Sequence, residues 1–143
     1  MAEYYPPLGF HFEVKFMGME GESQFQSVSG LSVEIETEDI SEGGENRFKH
    51  KLPIRTKYPN LVLKRGLLVN SVLIKWCRSA LEDFVFYPSD ILISLLNEES
   101  EPLMSWNVVH AYPVKWTVVD FNAEESTIVV ETIELAYNYF NIL

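Results

Sequence analysis

Along residues 10–16, apolar and polar side chains alternate without a break. Phe10, Phe12, Val14 and Phe16 fall on one side, and His11, Glu13 and Lys15 on the other. A period of two marks a strand with one buried face, because successive side chains of an extended chain point to opposite faces. Gly18–Ser23 supplies a turn, and Phe25–Val28 reads as a return strand broken by Ser29-Gly30. Alternation then resumes, with Leu31, Val33 and Ile35 set against Ser32, Glu34 and Glu36, so the first forty residues predict a β-meander.

The period changes after Gly66, which closes a short strand at Leu61–Leu63. Val72, Leu73, Trp76, Cys77, Ala80 and Leu81 fall at i, i+1, i+4, i+5, i+8 and i+9, the stripe of an amphipathic helix. Asn70 or Ser71 can cap it, Lys75, Arg78 and Glu82 lie towards the other face, and Pro88 stops any long continuation. Beyond it the pattern returns to strands at Asp90–Asn97, Leu103–Ala111, Lys115–Phe121 and Thr127–Phe140. In the last of these Val129, Ile133, Leu135, Tyr137 and Tyr139 share a face that Glu131 interrupts. Many antiparallel strands and one helix predict a mainly β fold. The expectation is one domain over residues 1–143, an antiparallel β-barrel or sandwich with a flanking helix at about 70–83 and a long extended loop at about 37–59.

That loop, Thr37–Pro59, carries Gly43-Gly44, two prolines, many charges and few apolar positions. A structureless stretch of that length is uncommon in compact domains and is usually functional or disordered. Its charges are ordered. Glu34, Glu36, Glu38, Asp39, Glu42 and Glu45 form an acidic block, and Arg47, Lys49, Lys51, Arg55, Lys57, Lys64 and Arg65 a basic one. Seven of the eleven basic residues therefore lie between positions 47 and 65. Two readings follow: a solvated hairpin whose arms pair with each other, or an arm that reaches a partner of alternating charge.

A length of 143 residues suits a single core, and 47% hydrophobic against 22% charged residues argues against disorder. The lone Cys77 cannot close an intramolecular disulfide and, on the apolar stripe, reads as a small core residue. A net charge of −10 opposes nucleic-acid binding, which needs a basic surface. Met1–Pro7 has neither the basic stretch nor the apolar run of a signal peptide, and no window is long and apolar enough to span a bilayer, so synthesis and folding in the cytoplasm are expected.

Chemistry-bearing patterns are sparse. His11, His50, His110 and Cys77 are dispersed rather than grouped as zinc ligands. Gly43-Gly44 sits in a charged loop and does not open a helix, so it signals a turn and not a phosphate cradle. There is no G-x-S-x-G elbow, and Trp76, Trp106, Trp116 and Tyr137 are expected to fill the core. No cofactor, metal or catalytic residue is expected. A monomeric ligand-binding β-barrel or small enzyme stands as the competing class.

Several segments together resemble the inner tail-tube family of contractile phages and phage-derived contractile injection systems. They are Gln26-Ser27-Val28-Ser29-Gly30-Leu31, Glu42-Gly43-Gly44, Leu61–Gly66, Ile93–Glu98, Trp106-Asn107 through Ala111–Lys115, and Thr132–Ala136. They run in the family's order over about residues 10–139. The resemblance implies a hexameric ring, rings stacked head to tail into a tube, and a surrounding sheath that drives the tube through a target envelope on contraction. The hemolysin-coregulated ring protein is a more distant relative. The partners implied are further copies of the chain, another tube paralogue, sheath, and baseplate or spike proteins, in a phage tail or injection particle. The segment matching the family's extended loop implies contacts between subunits and rings through Glu42, Gly43, Gly44, Glu45, Asn46, Arg47, Phe48, Lys49, His50 and Lys51. Two features depart from the pattern. His110 stands where the family often has Asn, and the ending Tyr137–Asn141 is more aromatic than common main-tube endings. They leave open a tube initiator or baseplate adaptor of the same fold.

Overall fold

The computed structural model describes residues 10–19, 24–40, 50–67, 71–120 and 129–143. Its elements are β1 (His11–Phe16), β2 (Gln24–Phe25), β3 (Ser27–Ser29), β4 (Glu34–Ile40), β5 (His50–Lys57), β6 (Leu61–Gly66), α1 (Val72–Asp83), β7 (Ser89–Leu96), β8 (Pro102–Asp120), β9 (Val129–Ala136) and β10 (Tyr139–Ile142). The fold is mainly β and antiparallel, with one helix among the described residues.

The 19-residue β8 organises the sheet. Its first half pairs with β7 on one side and β10 on the other, while its second half, from Tyr112, pairs with β9. Between the halves the chain turns a corner. His110 adopts a left-handed φ of 60°, its N–H donating to Asp90 Oδ1 at 2.9 Å, and the register slips between Pro113 and Lys115. Strands that switch sheets through bulges make such corners. Pro113 therefore lies inside a continuous strand, where the sequence pattern suggested a break. The left-handed region tolerates His better than bulkier or branched residues, which suits His110 to this corner.

The sheet runs β2-β1-β7-β8-β9-β6-β3 and curls until its ends meet across residues 24–29. There Phe25 lies opposite Phe12 of β1, Val28 opposite Leu63 of β6, and the Gln26 N–H donates to the Lys64 carbonyl at 2.8 Å. The result is sandwich-like and not a regular closed barrel. Gly30 (φ 94°) follows this bridge, and a Cβ there would collide with the Asn60 carbonyl oxygen, so only glycine lets the two segments approach.

The core sits inside the curl. Val14, Phe16, Leu61, Leu63, Ile91, Ile93, Val108, Ile133 and Leu135 are buried together with Leu73, Trp76 and Cys77 of α1. Ser71 caps the helix, its hydroxyl accepting from the Ile74 N–H at 3.1 Å. Trp76 meets Phe16 edge-on at 5.6 Å and donates its indole N–H to the Tyr87 carbonyl. Val72 and Leu81, at the margins of the expected stripe, are exposed, so the buried face is narrower than the pattern suggested.

Candidate assembly surface

Within the expected loop, residues 37–40 and 50–57 are strands. β4 and β5 form a separate two-stranded ribbon, paired antiparallel from Glu34 opposite Lys57 to Ile40 opposite His50. The register slips between Glu36 and Thr37, next to Pro53, which has no N–H to donate. The acidic and basic blocks thus meet within one chain. Arg55 Nε lies 3.0 Å from Glu36 Oε2, and Lys57 Nζ 4.0 Å from Glu34 Oε1. Such exposed pairs contribute about 0–1 kcal/mol each. Of the ten positions expected to make contacts between subunits, His50 and Lys51 begin β5 and are exposed, opposite Ile40 and Asp39. Glu42, Gly43, Gly44, Glu45, Asn46, Arg47, Phe48 and Lys49 lie outside the described residues.

Ile35, Ile40, Leu52 and Ile54 on this ribbon, and Val33 just before it, are all exposed, Ile35 by 60%. The alternation through Leu31, Val33 and Ile35 therefore does not mark a buried face beyond Leu31, which alone packs against the core. A two-stranded hairpin is marginal by itself in water. The base of this one is held by aromatic contacts, Tyr58 meeting Tyr137 at 5.9 Å and Phe140 at 5.2 Å between ring centroids. The Tyr137 hydroxyl is buried there without a hydrogen-bond partner, and burial, with Tyr58 adding to it, pushes its pKa up to about 12.

A second open surface is the outer side of β8 beyond Ala111, which pairs with nothing among the described residues. On the same segment Val114, Trp116 and Val118 are partly exposed, Trp116 and Val118 lying opposite the buried Ile133 and Glu131 of β9 and Trp116 lining a cavity with Ile74, Cys77 and Leu81 of α1. Trp116 therefore does not fill the core as expected. Its indole N–H donates to Glu131 Oε1 at 2.7 Å.

That bond leads to a buried ion pair. Arg65 (3% exposed) donates Nε to Glu131 Oε2 (0% exposed) at 2.9 Å and Nη2 to the Ser71 hydroxyl at 3.2 Å, and its guanidinium lies 5.1 Å from the Phe25 ring centre. Arg65 is thus not part of a solvated basic arm. The sequence signal was Glu131 on an otherwise apolar strand face, and its partner was invisible because β6 and β9 are distant in sequence. Both carboxylate oxygens are occupied, so the arrangement ties β6, β8, β9 and the helix cap together and leaves no free base. The nearby Cys77 thiol is pushed up to about 12, by burial first and then by the Glu131 charge against the opposing effect of Arg65, so it stays protonated and unreactive near neutral pH. No cluster among the described residues could hold a metal ion.

Among curated proteins none matches the chain. A chain of the anti-feeding prophage baseplate, seen by cryo-EM and 6-fold symmetrised, superposes with a TM-score of 0.84 at 30% identity, covering 100% of this chain and 97% of that one. A chain of the PVC sheath–tube complex in the extended state gives 0.79 at 30% identity over 99% and 93%. Hcp1 from Flavobacterium johnsoniae, at 14% identity and a TM-score of 0.57 over 92% and 94%, shares the fold. The family described as T4-like virus tail tube protein gp19 matches residues 8–141. With that match spanning nearly its whole length, the chain belongs to the T4-like tail tube family, whose members are structural tube proteins and not enzymes.

Proposed function

We propose that this protein is an inner-tube subunit of a contractile injection system, closing side by side into a hexameric ring that stacks head to tail and is driven through a target envelope when a sheath contracts. The observation that carries the reading is the β4–β5 ribbon, whose exposed isoleucines and leucine have no core of their own among the described residues. The open edge of β8 adds to it, because an unpaired strand edge is a liability unless another chain covers it. A head-to-tail interface that closes gives a ring. Its partners are then further copies, a tube paralogue, sheath, and baseplate or spike proteins. No described helix is long and apolar enough to cross a membrane, which fits a component of an assembled particle.

Light scattering with negative-stain microscopy tests this. Ring-sized oligomers are expected. A strictly monomeric species at high concentration, untagged, would overturn the reading and leave a ligand-binding domain. Likeness to a baseplate chain as well as a sheath–tube chain supports a second reading, a tube initiator on the baseplate. Rings that lengthen only on a baseplate template favour the initiator, and spontaneous long tubes favour the main tube protein.

A further inference from the structure

The neck that joins the β4–β5 ribbon to the body is fixed at its lower end and hollow above it. Among the described residues neither strand pairs with the main sheet, and every residue of β5 is exposed. The chain enters the ribbon through Leu31, Ser32 and Val33 and leaves it through Tyr58, Pro59 and Asn60. At the lower end Gly30 and the Asn60 carbonyl lie too close for any side chain between them, and Leu31 packs on the core. Just above, Ser32, Val33, Glu34, Lys57 and Pro59 line a cavity of about 370 Å³. A close-packed joint transmits strain, whereas one with open space beside it has room to bend.

One aromatic cluster holds the ribbon at its present angle. The Tyr58 ring meets Tyr137 at 5.9 Å and Phe140 at 5.2 Å, and those two rings lie 6.3 Å apart. This clasp carries a penalty. The Tyr137 hydroxyl is buried in it with no hydrogen-bond partner, and so forgoes the bonds that water would give it. Tyr58 is close enough to that hydroxyl to add to the rise in its pKa, so its departure opens the oxygen to water. Aromatic packing therefore favours the closed neck, and solvation of the hydroxyl favours an open one. The two effects are comparable in size, which is the condition for two populated arrangements.

We propose that the ribbon swings as a unit about Ser32 and Pro59, between the clasped position and one in which Tyr58 has left Tyr137 and Phe140. Hinges of this kind are a few residues at the ends of elements that absorb the change in backbone angle. In its use, though not in its geometry, the hinge rests on the reading of the protein as a ring-forming tube subunit. Assembly then selects one position of the ribbon, and the population of that position in the free chain sets how readily a subunit joins.

Spin labels at Thr37→Cys on the ribbon and Lys75→Cys on the exposed face of α1 measure the swing. Diluting labelled chains with unlabelled parent confines the measured distance to one chain, and the buried Cys77 stays unlabelled. Two distances are expected in the parent. Tyr137→Phe keeps the ring and removes the unmet hydroxyl, so it should raise the ratio of clasped to open chains about tenfold, with a melting temperature equal to or above the parent's. Tyr58→Ala should leave the open distance dominant while the far-UV circular dichroism of the body is kept. One distance common to the parent and both variants overturns the hinge. So does a Tyr137→Phe protein that shifts towards the open position, since the hydroxyl would then be satisfied within the clasp. A parent that stays monomeric yet shows two distances supports the hinge and removes the ring reading. A parent that forms rings but shows a single distance before and after assembly removes the hinge alone.

Discussion

β1 and the stretch from Leu31 into β4 carry nearly the same alternation of apolar and polar residues, yet they end in opposite environments. β1 lies between β2 and β7, and its Val14 and Phe16 are buried against Trp76 and the rest of the core. Among the described residues β4 pairs only with β5, and Val33 and Ile35 remain in water. Burying one large aliphatic side chain is worth about 1.5–3 kcal/mol, so the ribbon forgoes in the free chain what β1 has already gained. The difference teaches that a period of two identifies a face without identifying what covers it. For β1 the cover comes from the same chain. For the ribbon we assign it to a neighbouring subunit.

If that contrast holds, the two regions should answer substitution differently, one in unfolding and the other in assembly. The largest effect is expected at the buried pair. Glu131→Leu removes the carboxylate from beside the buried Arg65 and should cost about 3–5 kcal/mol in urea unfolding, while adding Arg65→Met should recover most of the loss. A neutral Glu131→Leu would contradict the burial described. Trp76→Ala should cost a similar amount, about 3–5 kcal/mol, since it removes the Phe16 contact and the bond to Tyr87. A variant melting within a degree or two of the parent would show that α1 is not anchored through Trp76.

A smaller effect should appear at alkaline pH. Cys77 keeps its proton in the folded chain up to about 12, whereas an unfolded thiol begins to lose it near 9. The folded state then binds more protons, so this contribution is complete below pH 9 and falls as pH rises towards 12, by at most about 1.4 kcal/mol per unit. Tyr137 shifts in the same direction and by less, from 10 to about 12. Comparing unfolding of the parent and Cys77→Ala at pH 8 and pH 11 isolates the thiol. Equal slopes would dismiss it.

The smallest change in folding is expected on the ribbon. Ile35→Ser and Leu52→Ser should alter unfolding by no more than about 0.5 kcal/mol while reducing ring or tube formation. Reversal of Arg47, Lys49 and Lys51 to Glu should weaken stacking, and added salt should act likewise, since screening operates over about 8 Å at physiological ionic strength. Normal tubes from the triple variant would show that these charges serve only their own hairpin.

Much of the body was legible because its signals are local. The turn of α1 from Leu73 to Ala80, its cap at Ser71 and the buried Cys77 follow from helical spacing and capping chemistry. The ordered family segments identified the architecture. The ribbon was legible only as a region: its opposite charges suggested pairing, and the structure supplies the register and the exposed apolar side chains. The packing of Phe84 on Phe86 and of Phe86 on Tyr112 was not legible, since Tyr112 is distant in sequence and reaches Phe86 only through the fold.

By itself, then, the sequence determined β1, β6, β7, the helix, the break at Ser29-Gly30 and the absence of a disulfide within the chain, because periodicity, steric freedom and residue chemistry act over a few positions. The tertiary structure decided which charges are buried and which apolar faces are left open. Arg65 and Glu131 are 66 residues apart in the chain and 2.9 Å apart in space. Whether a charge is solvated or paired depends on what folding brings beside it, and no local pattern carries that information.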